Sequence, residues 1–213
     1  MRGSSFAALV ATLLSVTFAG CARKPPPEVP GLIVESHVVF YAADGKTRRA
    51  APKTPLRLWM PHVVGDIYGS PNEGEVTQVT LKPDLTFTLN LNGAGETLTK
   101  GLVPTQFSQK WMAIEPAAAR VARVLPFVMP ADSIGPVGIS EWLDEESGAK
   151  LMLIYVDRAA RIRGDIVYEN RRLQFDIEAK EAGYLWIRQP DGNGTFRTAP
   201  WPKKVALAVF PGE

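Results

Sequence analysis

The chain of 213 residues holds one cysteine, Cys21, and two histidines, His37 and His62. A lone cysteine forms no internal disulfide, so the fold must rest on its hydrophobic core. It also leaves no Cys-ligated zinc and no thiol for catalysis in the rest of the chain. The scarcity of histidine removes most candidates for a general base near neutral pH. A Ser–His–Asp triad would need His37 or His62, and no Gly-x-Ser-x-Gly nucleophile turn is present. Charge of one sign is also lacking. Lys and Arg number 24 against 22 Asp and Glu, which gives neither a nucleic-acid footprint nor an acidic disordered character. No apolar run reaches the ~20 residues that span a bilayer, and no internal repeat is visible.

Met1-Arg2 forms a short positive start, and Phe6–Phe18 carries no charge and is mostly apolar. That stretch fits the hydrophobic region of a signal peptide. Phe18-Ala19-Gly20-Cys21 follows, with small side chains just before the cysteine. These residues resemble the lipobox of bacterial lipoproteins, whose usual first position is Leu, where this chain has Phe18. The resemblance covers the first tenth of the chain. It implies export by the general secretory route, cleavage before Cys21 and acylation of Cys21. Two or three acyl chains, at ~0.8 kcal/mol per buried methylene, hold such a protein firmly to a membrane. Ala22 follows where Asp commonly retains lipoproteins in the inner membrane. The resemblance therefore implies an outer-membrane location, facing the periplasm or the surface.

Ala22–Pro30 contains four prolines in nine residues. Such a segment favours polyproline II and makes a spacer of up to ~28 Å. The expected organisation is a signal peptide over 1–20, a lipidated cysteine and Pro-rich tether over 21–30, and a globular remainder.

In that remainder Leu85, Phe87, Leu89 and Leu91 alternate with polar residues, the period of a half-buried strand. Lys82-Pro83-Asp84 is turn chemistry before it, and Val76–Leu81 reads as its hairpin partner. Leu32–Ala42 and Leu56–Val64 are two further strands, with a turn at Asp44-Gly45. Residues 31–92 therefore read as a four-stranded β unit. Its rhythm of an Asp-containing turn followed by a Phe-x-Leu strand resembles transthyretin-like and carboxypeptidase-regulatory-like modules, which usually carry Asp-Gly where this chain has Asp84-Leu85.

Residues 93–138 read as a connecting segment, irregular or with a short helix near 105–125. Pro116–Arg120 can open a helix with Val121, Val124 and Leu125 on one face, or the stretch to Met129 can be a strand broken by Pro126. From 139 to 213 strands return: Ile139–Leu143, Leu151–Val156, Ile162–Tyr168, Leu173–Ala179, Tyr184–Ile187 and Val205–Phe210. Leu151–Val156 is apolar on both faces, which marks a central strand. The economical topology over 139–213 is an antiparallel meander. The fold expected is all-β, an antiparallel β-sandwich or half-barrel, in one body or two β subdomains.

Candidate chemistry is sparse. His37 and His62 sit on separate predicted strands, and with Asp66 they would make a three-ligand metal site only if those strands paired. Asp144-Glu145-Glu146 reads as a solvated hairpin loop, Asp191-x-Asn193 as a turn rather than a calcium loop, and Arg163-Gly164-Asp165 as a chance tripeptide inside a strand. Asp157-Arg158 ends the most apolar strand. Five tryptophans remain, of which two are candidate binding aromatics. Trp59 alternates against Leu58 and Met60, and Trp201 lies between Pro200 and Pro202.

These readings lead to a non-enzymatic envelope lipoprotein without cofactor or metal. It would be tethered to a membrane through Cys21, and its β body would bind or brace an envelope protein or glycan. A carrier holding a hydrophobic ligand in a half-barrel comes second, and a hydrolase of envelope polymers third. An aromatic patch, an apolar cavity or a cleft of converging acids would separate the three.

Overall fold

The computed structural model describes residues 31–63, 71–99, 112–133, 135–168 and 170–212. The architecture is all-β, as the alternation predicts. Among the described residues fourteen strands form an eleven-stranded mixed sheet and a three-stranded sheet, with one short helix, α1 (Gly95–Thr99). No described helix is long and apolar enough to cross a membrane.

The first strands follow the sequence reading closely. They are β1 (Ile33–Phe40), β2 (Leu56–Val63), β3 (Pro71–Thr80) and β4 (Thr86–Asn90). These four do not form one sheet. β1 pairs with β4, and β2 pairs with β3 in the other sheet. After β1, the Asp44 carboxylate accepts from the N–H groups of Lys46 and Thr47, and Gly45 takes φ 67°.

The turn before β4 places Leu85 at φ 66°. This is the position where the transthyretin-like rhythm carries glycine, and the left-handed region costs an L-residue roughly 1–2 kcal/mol. Asp84 offsets part of that. It accepts from the Thr86 hydroxyl at 2.7 Å and from the Thr86 N–H at 3.0 Å. These two bonds, the hydroxyl first, hold its carboxyl below the ordinary value of 3.8. The folded state thus favours the carboxylate. The resulting stability is in place above the ordinary value and is lost as pH falls through the lowered one. Asp84→Asn is expected to narrow the gap between urea midpoints at neutral pH and near pH 3. An unchanged gap would show that this turn contributes nothing to acid sensitivity.

Later strands are β5 (Met112–Glu115), β6 (Val121–Val124), β7 (Phe127–Pro130), β8 (Ile139–Asp144) and β9 (Lys150–Val156). Of the two readings of 116–129 the strand broken by Pro126 is the one found, as β6 and β7. The irregular or helical connection expected near 105–125 is corrected over 112–124, which is β5, a turn and β6; residues 105–111 lie outside the described residues. Non-local pairing overrides the helix propensity of the Pro-Ala-Ala-Ala run. β6 is hydrogen-bonded to β9, and Pro126 interrupts the chain between β6 and β7.

The chain ends with β10 (Ala160–Tyr168), β11 (Arg171–Ala179), β12 (Gly183–Arg188), β13 (Gly194–Thr198) and β14 (Val205–Phe210). The antiparallel meander expected over 139–213 is also corrected. β13 lies between β12 and β11 and runs parallel to β11, while β14 runs parallel to β1. β1 and β4 are thereby built into the same sheet as the C-terminal strands, while β2 and β3 belong to the three-stranded sheet.

The reason for this order is a closure. Neighbours run β9-β12-β13-β11-β10-β5, and β6, the continuation of β5, returns to β9. Six positions therefore close into a small barrel, with β5 and β6 acting as one bent strand. At the bend Asp157 accepts from the Arg120 N–H at 2.9 Å, and its own N–H donates to the Arg120 carbonyl at 3.1 Å. Asp157-Arg158 is thus a surface pair that also secures the join. Side chains fill the barrel, among them Ile154, Ile162, Phe175 and Phe196, the last two stacked at 4.6 Å.

The other half is a sandwich. β4-β1-β14-β8 covers one side of a core whose opposite side is the β3-β2-β7 sheet. Phe40, Leu58, Leu89, Trp142 and Leu207 are almost wholly buried there. β9 serves both cores. Leu151, Leu153 and Tyr155 face the sandwich, and Met152, Ile154 and Val156 face the barrel. This double duty explains its unbroken apolar run.

Candidate functional site

Trp201 stands on the loop between β13 and β14 and is 59% exposed. The loop is tied down at both ends. The Ala199 N–H donates to the Trp186 carbonyl at 2.7 Å, and the Lys204 carbonyl accepts from the Glu145 N–H at 3.1 Å. Pro200 and Pro202 restrict the backbone on either side and offer no N–H of their own. An exposed indole on so constrained a loop loses little conformational entropy when it takes a partner.

Three depressions meet at this side chain. One of about 350 Å³ lies against Gly31, Leu32, Tyr184 and Thr198. A second, about 410 Å³, is floored by Trp186 and Val205 and walled by Ile33 and Glu35. A third, about 320 Å³, reaches the β8–β9 hairpin and Arg188. Ile33 is 54% exposed, because its neighbours Leu32 and Val34 turn inward and leave it outward at the start of β1. Its outward place was legible in the period of two, but its company with Trp201 was not.

The acidic hairpin has a local structural task. The Asp144 carboxylate accepts from the Glu146 N–H at 3.1 Å and from the Ser147 hydroxyl, closing the turn. Glu145 faces His37 at 3.4 Å and Glu146 faces Lys203 at 3.4 Å. The hairpin thereby places Asp144 and Glu146 along one rim of the Trp201 site, with Lys203 of the loop facing Glu146.

The two candidate aromatics do not come together in one depression. Trp59 lies on β2, half-buried, opposite Phe127 on β7 with ring centroids 6.2 Å apart. Leu56, Leu58 and Met60 take the core side, so Trp59 belongs to the outer face of the three-stranded sheet. Phe127 also lines a cleft of about 510 Å³ where β6 and β8 part along β9, with Leu125, Ile139, Arg123 and Glu141.

His37 and His62 stand on strands of different sheets, so the strand pairing that their metal site requires does not occur. The His62 side chain, Asp66, Trp111 and Cys21 lie outside the description. Among the described residues no group of three or more His, Cys, Asp or Glu is placed to hold a metal ion. Arg163-Gly164-Asp165 lies within β10, paired to β11, with Asp165 in an ion pair with Arg172.

Comparison with protein-family models, with curated proteins and with solved structures finds no match to this chain.

Proposed function

We propose that this chain is a membrane-anchored envelope lipoprotein whose β body binds a protein or glycan partner without converting it. The observation that supports binding is Trp201, a large exposed aromatic on a constrained loop where three depressions meet. Single exposed apolar residues are common on any surface. One set between two prolines where depressions with a charged rim meet has the form of a recognition anchor. The anchor reading rests on Phe18-Ala19-Gly20-Cys21 after an uncharged apolar run, and Ala22, where Asp commonly retains lipoproteins in the inner membrane, supports the outer membrane.

Both halves are testable together. Cys21→Ser is expected to accumulate as an unprocessed precursor without palmitate label. Palmitate entering that variant would refute the anchor. Crosslinking in the native envelope is expected to trap a partner with the wild type and much less of it with Trp201→Ala. Equal recovery from both would remove Trp201 from the function.

A further inference from the structure

We infer that the Trp201 site takes an uncharged, hydroxyl-rich oligosaccharide, one ring stacked on the indole and its neighbours in the flanking depressions. This inference rests on the binding reading above and names the ligand class.

Charge around the indole narrows the choice. The carboxylates Glu35, Asp144, Glu146, Glu178 and Glu181 line the three depressions. The cations on the same walls are Lys180, Arg188 and Lys203. Five acids against three bases repel a polyanion, so a nucleic acid, an anionic headgroup layer or an acidic peptide fits poorly. A charged rim around a central aromatic is common to protein and glycan sites, so the choice between them rests on what the ligand offers: a flat apolar face with hydrogen-bonding groups at its edge.

A pyranose ring meets both conditions. One face is a sheet of C–H groups that packs on a flat indole, and its hydroxyls radiate outward, where they need donors and acceptors at the edge. Carboxylates that accept two hydroxyls, and Arg or Lys that donate, supply that edge without demanding a net charge. Depressions of 320 to 410 Å³ on different sides of Trp201 give room for more than one sugar unit.

The test uses the full mature chain in detergent. It is offered chitin, cellulose, xylan, amylose and dextran in pull-down and affinity electrophoresis. Retention on at least one polysaccharide is expected, with Trp201→Ala weakening it about tenfold or more, as a central aromatic anchor should. Trp201→Phe should retain part of the binding. Retention should persist in about 1 M salt, where charge attraction is screened to ~3 Å. No retention by any of the probes overturns the inference, as does retention that Trp201→Ala leaves unchanged. If a photo-crosslinker beside Trp201 then captures a protein, and Trp201→Ala abolishes that capture, the binding module stands and only its ligand class falls. If neither glycan nor protein depends on Trp201, both readings fall.

Discussion

Replacing Trp142 by alanine is expected to cost about 3–5 kcal/mol of folding stability, the range for deleting a large aromatic from a packed core. Trp142 is 1% exposed and is the largest side chain so fully buried among the described residues. Its ring meets Trp186 edge-on at 5.5 Å and Phe87 at 6.3 Å. The indole N–H donates to the Val124 carbonyl at 3.4 Å, so truncation removes both the packing and the partner of a buried acceptor. It also joins strands that do not pair. Trp142 sits on β8 and Val124 on β6, the two strands that diverge along β9. Trp142→Phe should cost clearly less, since it keeps much of the ring contact and loses the N–H. Urea melts read both values, and a loss below about 1 kcal/mol for the alanine variant would show that the fork is not held from this position.

How much of this was legible in the sequence depends on where each signal resides. Leu85, Phe87, Leu89 and Leu91 announce β4, and Leu173, Phe175, Ile177 and Ala179 announce β11, because one buried face writes an alternation into consecutive residues. Leu151–Val156 announces a central strand because two cores claim its two faces. β5, β6 and β7 are four residues each and broken by prolines, so no period has room to form. β13 is hidden behind the Asp191–Gly194 turn signal, and only Phe196 of its five residues is buried. The parallel pairings β1–β14 and β11–β13 leave no local trace, since periodicity reports which face is buried and not which strand lies alongside. The candidate site divides in the same way. Flanking prolines made the exposure of Trp201 legible. Its depressions are walled by Gly31–Glu35 and by the Asp144 hairpin, remote in sequence, and the place of β14 between β1 and β8 brings them there.

Ile154→Ala tests whether barrel and sandwich are one cooperative body. Ile154 is 3% exposed and faces the barrel, while the adjacent Leu153 is 0% exposed and faces the sandwich. Alanine at 154 should cost ~2–5 kcal/mol, through lost transfer energy and the cavity left behind. The more telling result is where that loss registers. Two independent subdomains would unfold in two steps, and a barrel variant would move only one of them. Here β9 gives its faces to both cores, β6 runs directly from the barrel into β7 of the sandwich, and β12 sends Trp186 to one core and Ile187 to the other. Unfolding the barrel therefore strips one wall from the sandwich. A single transition is expected, and Ile154→Ala and Trp142→Ala should shift the same midpoint by amounts of similar order. The fluorescence of Trp142 and Trp186, both in the sandwich core, would follow the loss of a barrel residue. A variant in which this tryptophan signal holds its wild-type midpoint while far-UV circular dichroism melts early would divide the protein into two bodies.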